Sequence, residues 1–105
     1  MRYLELKYNG KIYTHIKDIE DIEEIEDILE SLGFNWLVDS EIINAKIEIK
    51  RGTLIWYDGI FISGDWNYGI FKGGEFYGNW ESGIFENGLM DGKWNDGINL
   101  SSYLS

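Results

Sequence analysis

The eight residues Phe76-Tyr77-Gly78-Asn79-Trp80-Glu81-Ser82-Gly83 recur, altered, at Ile62-Ser63-Gly64-Asp65-Trp66-Asn67-Tyr68-Gly69 and at Met90-Asp91-Gly92-Lys93-Trp94-Asn95-Asp96-Gly97. The shared pattern is an apolar residue, any residue, Gly, any residue, Trp, two residues of any kind, and Gly. Trp66, Trp80 and Trp94 therefore recur at one fixed interval, which makes a 14-residue unit. Between the copies stands Gly-Ile-Phe, at Gly69-Ile70-Phe71 and Gly83-Ile84-Phe85; Gly59-Ile60-Phe61 belongs to an earlier, shortened copy that begins at Trp56. A period this regular marks one supersecondary unit, stacked on itself.

Each copy reads as β structure. Alternation puts Phe76 and Trp80 on one face, with Gly78 between them. Each Trp or Phe is followed by two residues and a Gly, as in Glu81-Ser82-Gly83 and Glu86-Asn87-Gly88. That suits a three-residue hairpin loop, a type I turn closed by Gly in the left-handed region. Each unit then makes a long strand, a tight turn, a short strand and a second tight turn. Stacked copies give a twisted antiparallel meander with an aromatic face. The competing geometry is a small β-solenoid with Gly at each corner, which the 5-5-4 spacing of the Gly-x-aromatic units allows. The meander is preferred because a coil this short encloses little room for rings this large.

With this pattern the chain resembles MORN repeats, whose core is Tyr-x-Gly-x-Trp-x-x-Gly. Phe76 to Gly83 matches that core with Phe for Tyr, and the copies at Ile62 and Met90 match it with an aliphatic residue in first place. The resemblance covers residues 52–100, about half of the chain, with a unit shorter than the family's own. It implies antiparallel hairpin repeats that contact proteins or lipids and hold no enzymatic core.

The chain before the repeat reads in order. Tyr3 to Tyr8 and Lys11 to Ile16 flank Asn9-Gly10, a strong hairpin signal. The register pairs Tyr8 with Lys11, Leu6 with Tyr13 and Leu4 with His15, so that Leu4, Leu6, Tyr8 and Tyr13 share a face. A helix follows, with Asp18 as N-cap and Gly33 just past its end. Ile19, Ile22, Ile25, Ile28, Leu29 and Leu32 form its apolar stripe. Phe34 beyond the glycine is placed to touch Leu29. The opposite face carries Glu20, Glu23, Glu24, Asp27 and Glu30, with Asp21 and Glu26 at its margins. Acids in the last turns oppose the helix dipole, so local stability does not explain them. Phe34 and Trp36 enter the core, and Ile43, Ala45, Ile47 and Ile49 alternate inward along a strand. The strand keeps the parity of the repeat, so residues 1–51 and residues 52–105 are expected to share one sheet without a linker. Ser101 to Ser105, with Tyr103 and Leu104, reads as a degenerate end cap.

Composition narrows the function. The 105 residues include no cysteine, which removes disulfides, thiolate metal sites and thiol nucleophiles and suits a reducing, cytoplasmic compartment. Met1-Arg2-Tyr3-Leu4-Glu5 turns charged at once, so no signal peptide is read, and no apolar run is long enough to span a membrane. The net charge of −10, from 19 acids and 9 bases, argues against direct binding of nucleic acid or anionic membranes and favours a basic protein partner. His15 is the sole imidazole, and no nucleophile elbow accompanies it. The repeat acids sit at turns and outward positions, with no pair of carboxylates fixed in a cleft. No catalytic residue, metal or cofactor is assigned.

These readings converge on a non-enzymatic interaction protein of the α+β class, rich in β structure. An N-terminal hairpin and one acidic helix pack on or beside an antiparallel sheet of MORN-like repeats. The sharper expectation is an acidic decoy. Glu20, Glu23, Glu24, Asp27 and Glu30 imitate a phosphate array and occupy the basic groove of a nucleic-acid-binding protein. The chain's size and charge are compatible with the small acidic inhibitors that phages use against host defence, anti-CRISPR proteins among them. The alternative is a MORN-like scaffold that docks a protein or lipid through exposed aromatics, Tyr57, Tyr68 and Tyr77. An open sheet edge also offers a route to a homodimer.

Overall fold

A computed structural model describes residues 1–14 and 16–101. Strands β1 (Tyr3–Tyr8) and β2 (Lys11–Thr14) form the expected hairpin, with Tyr8 opposite Lys11 and Leu6 opposite Tyr13. Asn9 and Gly10 both take positive φ, as a two-residue hairpin loop requires. His15, and with it the pairing to Leu4, lies outside the described residues. An irregularity in register between Tyr3 and Glu5 changes the face of the hairpin. Tyr3 and Leu6 are buried, and Leu4 is only half-buried.

Helix α1 (Ile19–Ser31) begins after Asp18, which is the N-cap residue by position but makes no side-chain cap bond. It ends in a Schellman motif. Phe34 N donates to Leu29 O at 2.8 Å and Gly33 N to Glu30 O at 3.1 Å, with Gly33 at φ +90°. Ile25 and Leu29 are fully buried, with Ile22 and Ile28 packed beside them. Ile19 and Leu32, at the two ends of the expected stripe, are exposed.

A second helix, α2 (Asn35–Val38), carries Trp36 and Leu37 into the core. Arg2 closes its C-terminal end. The guanidinium donates to the carbonyls of Leu37, Val38 and Ser40, and Arg2 Nε lies 3.1 Å from Glu26 Oε2. Tyr3 Oη donates to the same carboxylate at 2.8 Å. This cluster ties the first strand to both helices.

Strand β3 (Glu41–Lys50) runs parallel to β1 and antiparallel to β4 (Thr53–Ser63). Asn44 sits at φ +53° where the β3–β4 register shifts. This irregularity flips the parity of the strand. Ile42 is therefore buried beside Ala45, Ile47 and Ile49, whereas Ile43, expected inward, faces out.

From β4 onward the chain winds as a β-solenoid, not as the preferred meander. Eight two-residue strands follow: β5 (Asp65–Trp66), β6 (Ile70–Phe71), β7 (Glu75–Phe76), β8 (Asn79–Trp80), β9 (Ile84–Phe85), β10 (Leu89–Met90), β11 (Lys93–Trp94) and β12 (Ile98–Asn99). All their pairings are parallel: β4 with β6 and β7, β6 with β9, β9 with β12, β7 with β10, and β5 with β8 and then β11. Each coil spans one sequence repeat and has three sides and three corners, and Gly stands at the corners. The β-rich α+β class holds. The sheet continues without a break from β2 through β1, β3, β4, β6 and β9 to β12.

The interior is filled by ladders of rings. Trp66, Trp80 and Trp94 stack at 5.2 and 5.3 Å; Trp56, Phe71 and Phe85 at 5.4 and 5.0 Å; Phe61 and Phe76 at 4.7 Å, with Met90 next in register. Within a coil the rings meet edge to face, as Phe76 does with Trp80 at 81°. Each such pair adds about 0.5–1.5 kcal/mol beyond its burial. Flat stacking between coils and edge contacts within them use the narrow interior fully, which answers the objection that large rings would not fit.

Candidate functional site

The acidic face of α1 assembles as the sequence implied. Ile25 and Leu29 bury one side of the helix, which turns Glu20, Glu23, Glu24, Asp27 and Glu30 to solvent. Four of these carboxylates, with Ile28 and Ser31, line a shallow open trough of 470 Å³ along the helix: Glu20, Glu23, Glu24 and Asp27. Neighbouring carboxylates are about one helical turn, ~5.4 Å, apart along the axis. Glu24 has partners, accepting a bond from Tyr13 Oη at 3.2 Å and lying 3.7 Å from Lys11 Nζ. The Lys11 ammonium is in turn held above its ordinary pKa by its bond to Tyr13 and by the Glu24 charge. Among the described residues no ion pair or side-chain hydrogen bond involves Glu20, Glu23, Asp27 or Glu30. No basic residue occupies the last turn of the helix.

The three tyrosines are not brought together. Tyr57 lies in β4 between the segments paired to β6 and β7, Tyr68 in the turn between β5 and β6, and Tyr77 between β7 and β8. They stand at three different corners of the coil, because alternation along a strand does not continue around a corner. Tyr57 Oη donates to Glu48 at 2.7 Å, and that bond, with some burial, raises its pKa. Tyr77 donates to Glu75, and its pKa is raised mainly by that bond. Tyr68 packs against Phe34 and Trp36, with ring centroids 5.6 and 5.7 Å away.

The structure shows an outward apolar ladder in their place. Parallel register aligns Ile55, Ile70, Ile84 and Ile98 on the outer face of the main sheet, growing more exposed towards Ile98. Tyr57 flanks it, with Lys72 and Glu86 in the following coils 3.7 Å apart as an ion pair. The signal lay in the Gly-Ile-Phe unit. Its Phe is the inward residue, so its Ile faces out. A second polar depression, of 320 Å³, lies between α2 and the first coil, lined by Trp36, Asp39, Ser40, Gly64, Asp65 and Asn67.

Among the described residues no group of three or more His, Asp or Glu side chains is gathered to hold a metal. Among the described residues no helix is long and apolar enough to cross a membrane. Compared with protein-family models, with curated proteins and with solved structures, the chain matches none. Its class is therefore carried by the fold: an α+β protein with a solenoid of short, three-sided coils.

Proposed function

We propose that this chain is a protein-binding module that acts as an acidic decoy, placing the carboxylate face of α1 in the basic groove of a nucleic-acid-binding protein. The observation that carries the reading is the row Glu20, Glu23, Asp27 and Glu30: exposed, without cationic partners among the described residues, and extending into helical turns where negative charge is unfavourable. A row of carboxylates on a rigid helix keeps its spacing without a partner. It meets an Arg- or Lys-lined groove with little ordering cost. A phage-type inhibitor of host defence is the setting that matches such a module.

The test is capture from cell lysate by the immobilised protein, with elution by duplex DNA or rising salt. A basic nucleic-acid-binding protein should elute with either. It should be lost from a variant carrying Glu23→Gln, Glu24→Gln, Asp27→Asn and Glu30→Gln that keeps the parent circular dichroism. Equal capture by that variant refutes the decoy.

The isoleucine ladder favours a second reading, the MORN-like scaffold whose sheet face docks a protein or lipid. In that case Ile84→Lys abolishes capture while the helix variant retains it, and salt does not release the partner.

A further inference from the structure

The chain has a net charge of −10, yet one end of the main sheet is basic. Lys7 and Lys11 flank the turn between β1 and β2, and Lys50 and Arg51 lead into the turn between β3 and β4. Parallel pairing sets Tyr8 beside Ile49, so the two turns end side by side, about 5 Å apart. Residues 7–12 and 48–53 thus hold Lys7, Lys11, Lys50 and Arg51 against a single acid, Glu48. Lys11 is engaged, its ammonium lying 3.7 Å from Glu24 and 4.6 Å from the centre of the Tyr13 ring. Lys7 has Glu5 at 3.9 Å. Lys50 and Arg51 are exposed, and among the described residues neither side chain has an ion-pair or hydrogen-bond partner.

Arg51 stands where turn chemistry does not ask for it. Both turns have positive φ at their two central residues: +52° and +81° at Asn9 and Gly10, +53° and +77° at Arg51 and Gly52. Asn-Gly is the pair such turns prefer, because Asn tolerates the left-handed region better than a long side chain does. The second turn takes the less suitable residue and so sets a guanidinium at its tip. Next to the first turn lies a depression of 220 Å³, walled by Tyr8, Ile12 and Ile49 and edged by Lys7 and Asn9. Glu48 also lines it, and its carboxylate accepts from Tyr57 Oη at 2.7 Å.

We infer that this end binds a small phosphate monoester, with the phosphate on Arg51, Lys50 and Lys7 and the organic part over the apolar wall of the depression. A guanidinium pairs with phosphate through two parallel N–H bonds, and ammonium groups add point charges around it. A monoester is close to a dianion at neutral pH, so it answers several cations at once where a carboxylate answers one. Lys7 is the register partner of Glu48, and Lys50 follows Glu48 by two residues, so both project from the face opposite α1. Size selects the occupant. A nucleic acid strand or an anionic bilayer extends beyond the two turns and meets the acids of α1 and of the coils, whereas a small ester stays within reach of the cations alone. The site does not rest on the decoy reading, since it has the opposite charge and lies on the other face of the sheet.

Titration of the ¹⁵N-labelled full chain with phenyl phosphate at constant ionic strength tests the inference. The amide signals of Asn9, Gly10, Lys50, Arg51 and Gly52 should shift together and saturate, with a Kd on the order of 1–10 mM, as a few exposed cations support. Inorganic phosphate should bind severalfold more weakly, because it leaves the apolar wall uncovered. Arg51→Asn should weaken phenyl phosphate binding severalfold and leave circular dichroism unchanged, since Asn suits the turn. Lys50→Gln, outside the left-handed positions, should give a second loss of the same kind. Absence of saturable shifts in the unaltered chain overturns the inference, as do shifts spread equally over lysines elsewhere, such as Lys17 and Lys93. Unchanged affinity in both variants overturns it too. Equal affinity for inorganic phosphate removes the role of the depression and overturns the assignment of a monoester.

Discussion

Replacing Gly83 by Ala separates the solenoid from the meander in one measurement. Gly83 has φ +113°, and a Cβ there would lie 2.5 Å from Gly69 O in the coil beneath and 3.3 Å from Trp66 Nε1. Gly69 O accepts the bond from Ile84 N, so it cannot retreat without weakening the ladder. Two costs therefore add. Positive φ for a residue with a side chain costs about 1–3 kcal/mol. Forcing a methyl group against packed backbone costs about 1–3 kcal/mol more. Gly33 supplies the reference, because its φ is +90° and a Cβ there would meet nothing within 4 Å. Gly33→Ala carries only the backbone term, about 1–2 kcal/mol. Against a total stability of about 5–15 kcal/mol, the two variants should be resolved easily. Urea unfolding followed by tryptophan fluorescence is the assay, with both variants compared at constant m-value. Gly83→Ala should lie about 1–3 kcal/mol below Gly33→Ala, or roughly 5–20 °C lower in Tm. In an antiparallel meander with Gly only at hairpin bulges, the two substitutions would cost the same, and that result refutes the stacked parallel register.

Three further outcomes follow from the packing and the charges. Arg2→Met removes one donor from each of the carbonyls of Leu37, Val38 and Ser40 and the cation beside Glu26, which keeps only its bond from Tyr3 Oη, and should cost about 2–4 kcal/mol in urea unfolding after allowance for partial exposure. Glu30→Gln removes a negative charge from the helix C-terminus and should raise stability by about 0.3–1 kcal/mol at low salt, a gain that high salt removes. Tyr57 is held neutral chiefly by donating to Glu48, so its folded pKa lies above the unfolded value. The stabilisation from that bond is present below about pH 10 and is lost as pH rises through the raised value. Glu48→Gln should bring the Tyr57 ionisation back towards its ordinary pH, which ¹³Cζ shifts report directly.

Features fixed by local chemistry were legible in the sequence. Asn9-Gly10 set the hairpin register, and Gly33 followed by Phe34 set the end of α1 together with its Schellman bonds. The acidic face followed from helical spacing alone. Features decided by what stacks on what were not legible. A turn glycine with positive φ serves a hairpin bulge and a solenoid corner equally well, so the period could not choose between them. The parallel coil wins because flat ring stacking and edge contacts fill an interior that volume alone made look too small. The parity of β3 turned on Asn44, where one residue in the left-handed region exchanged Ile42 for Ile43. The four residues of α2 are too few to show a period. The tyrosine stripe dissolved because strand alternation was carried across corners that rotate the chain away.

Because each coil passes the same three ring ladders and the same backbone bonds to the next, the solenoid is a spacer whose length can be set in whole steps. Repeating residues 70–83 in tandem would add one coil, lengthening the molecule by about 4.8 Å while recreating every contact at the junction. The distance between the acidic helix and the last coil could then be graduated like a ruler, with neither redesigned.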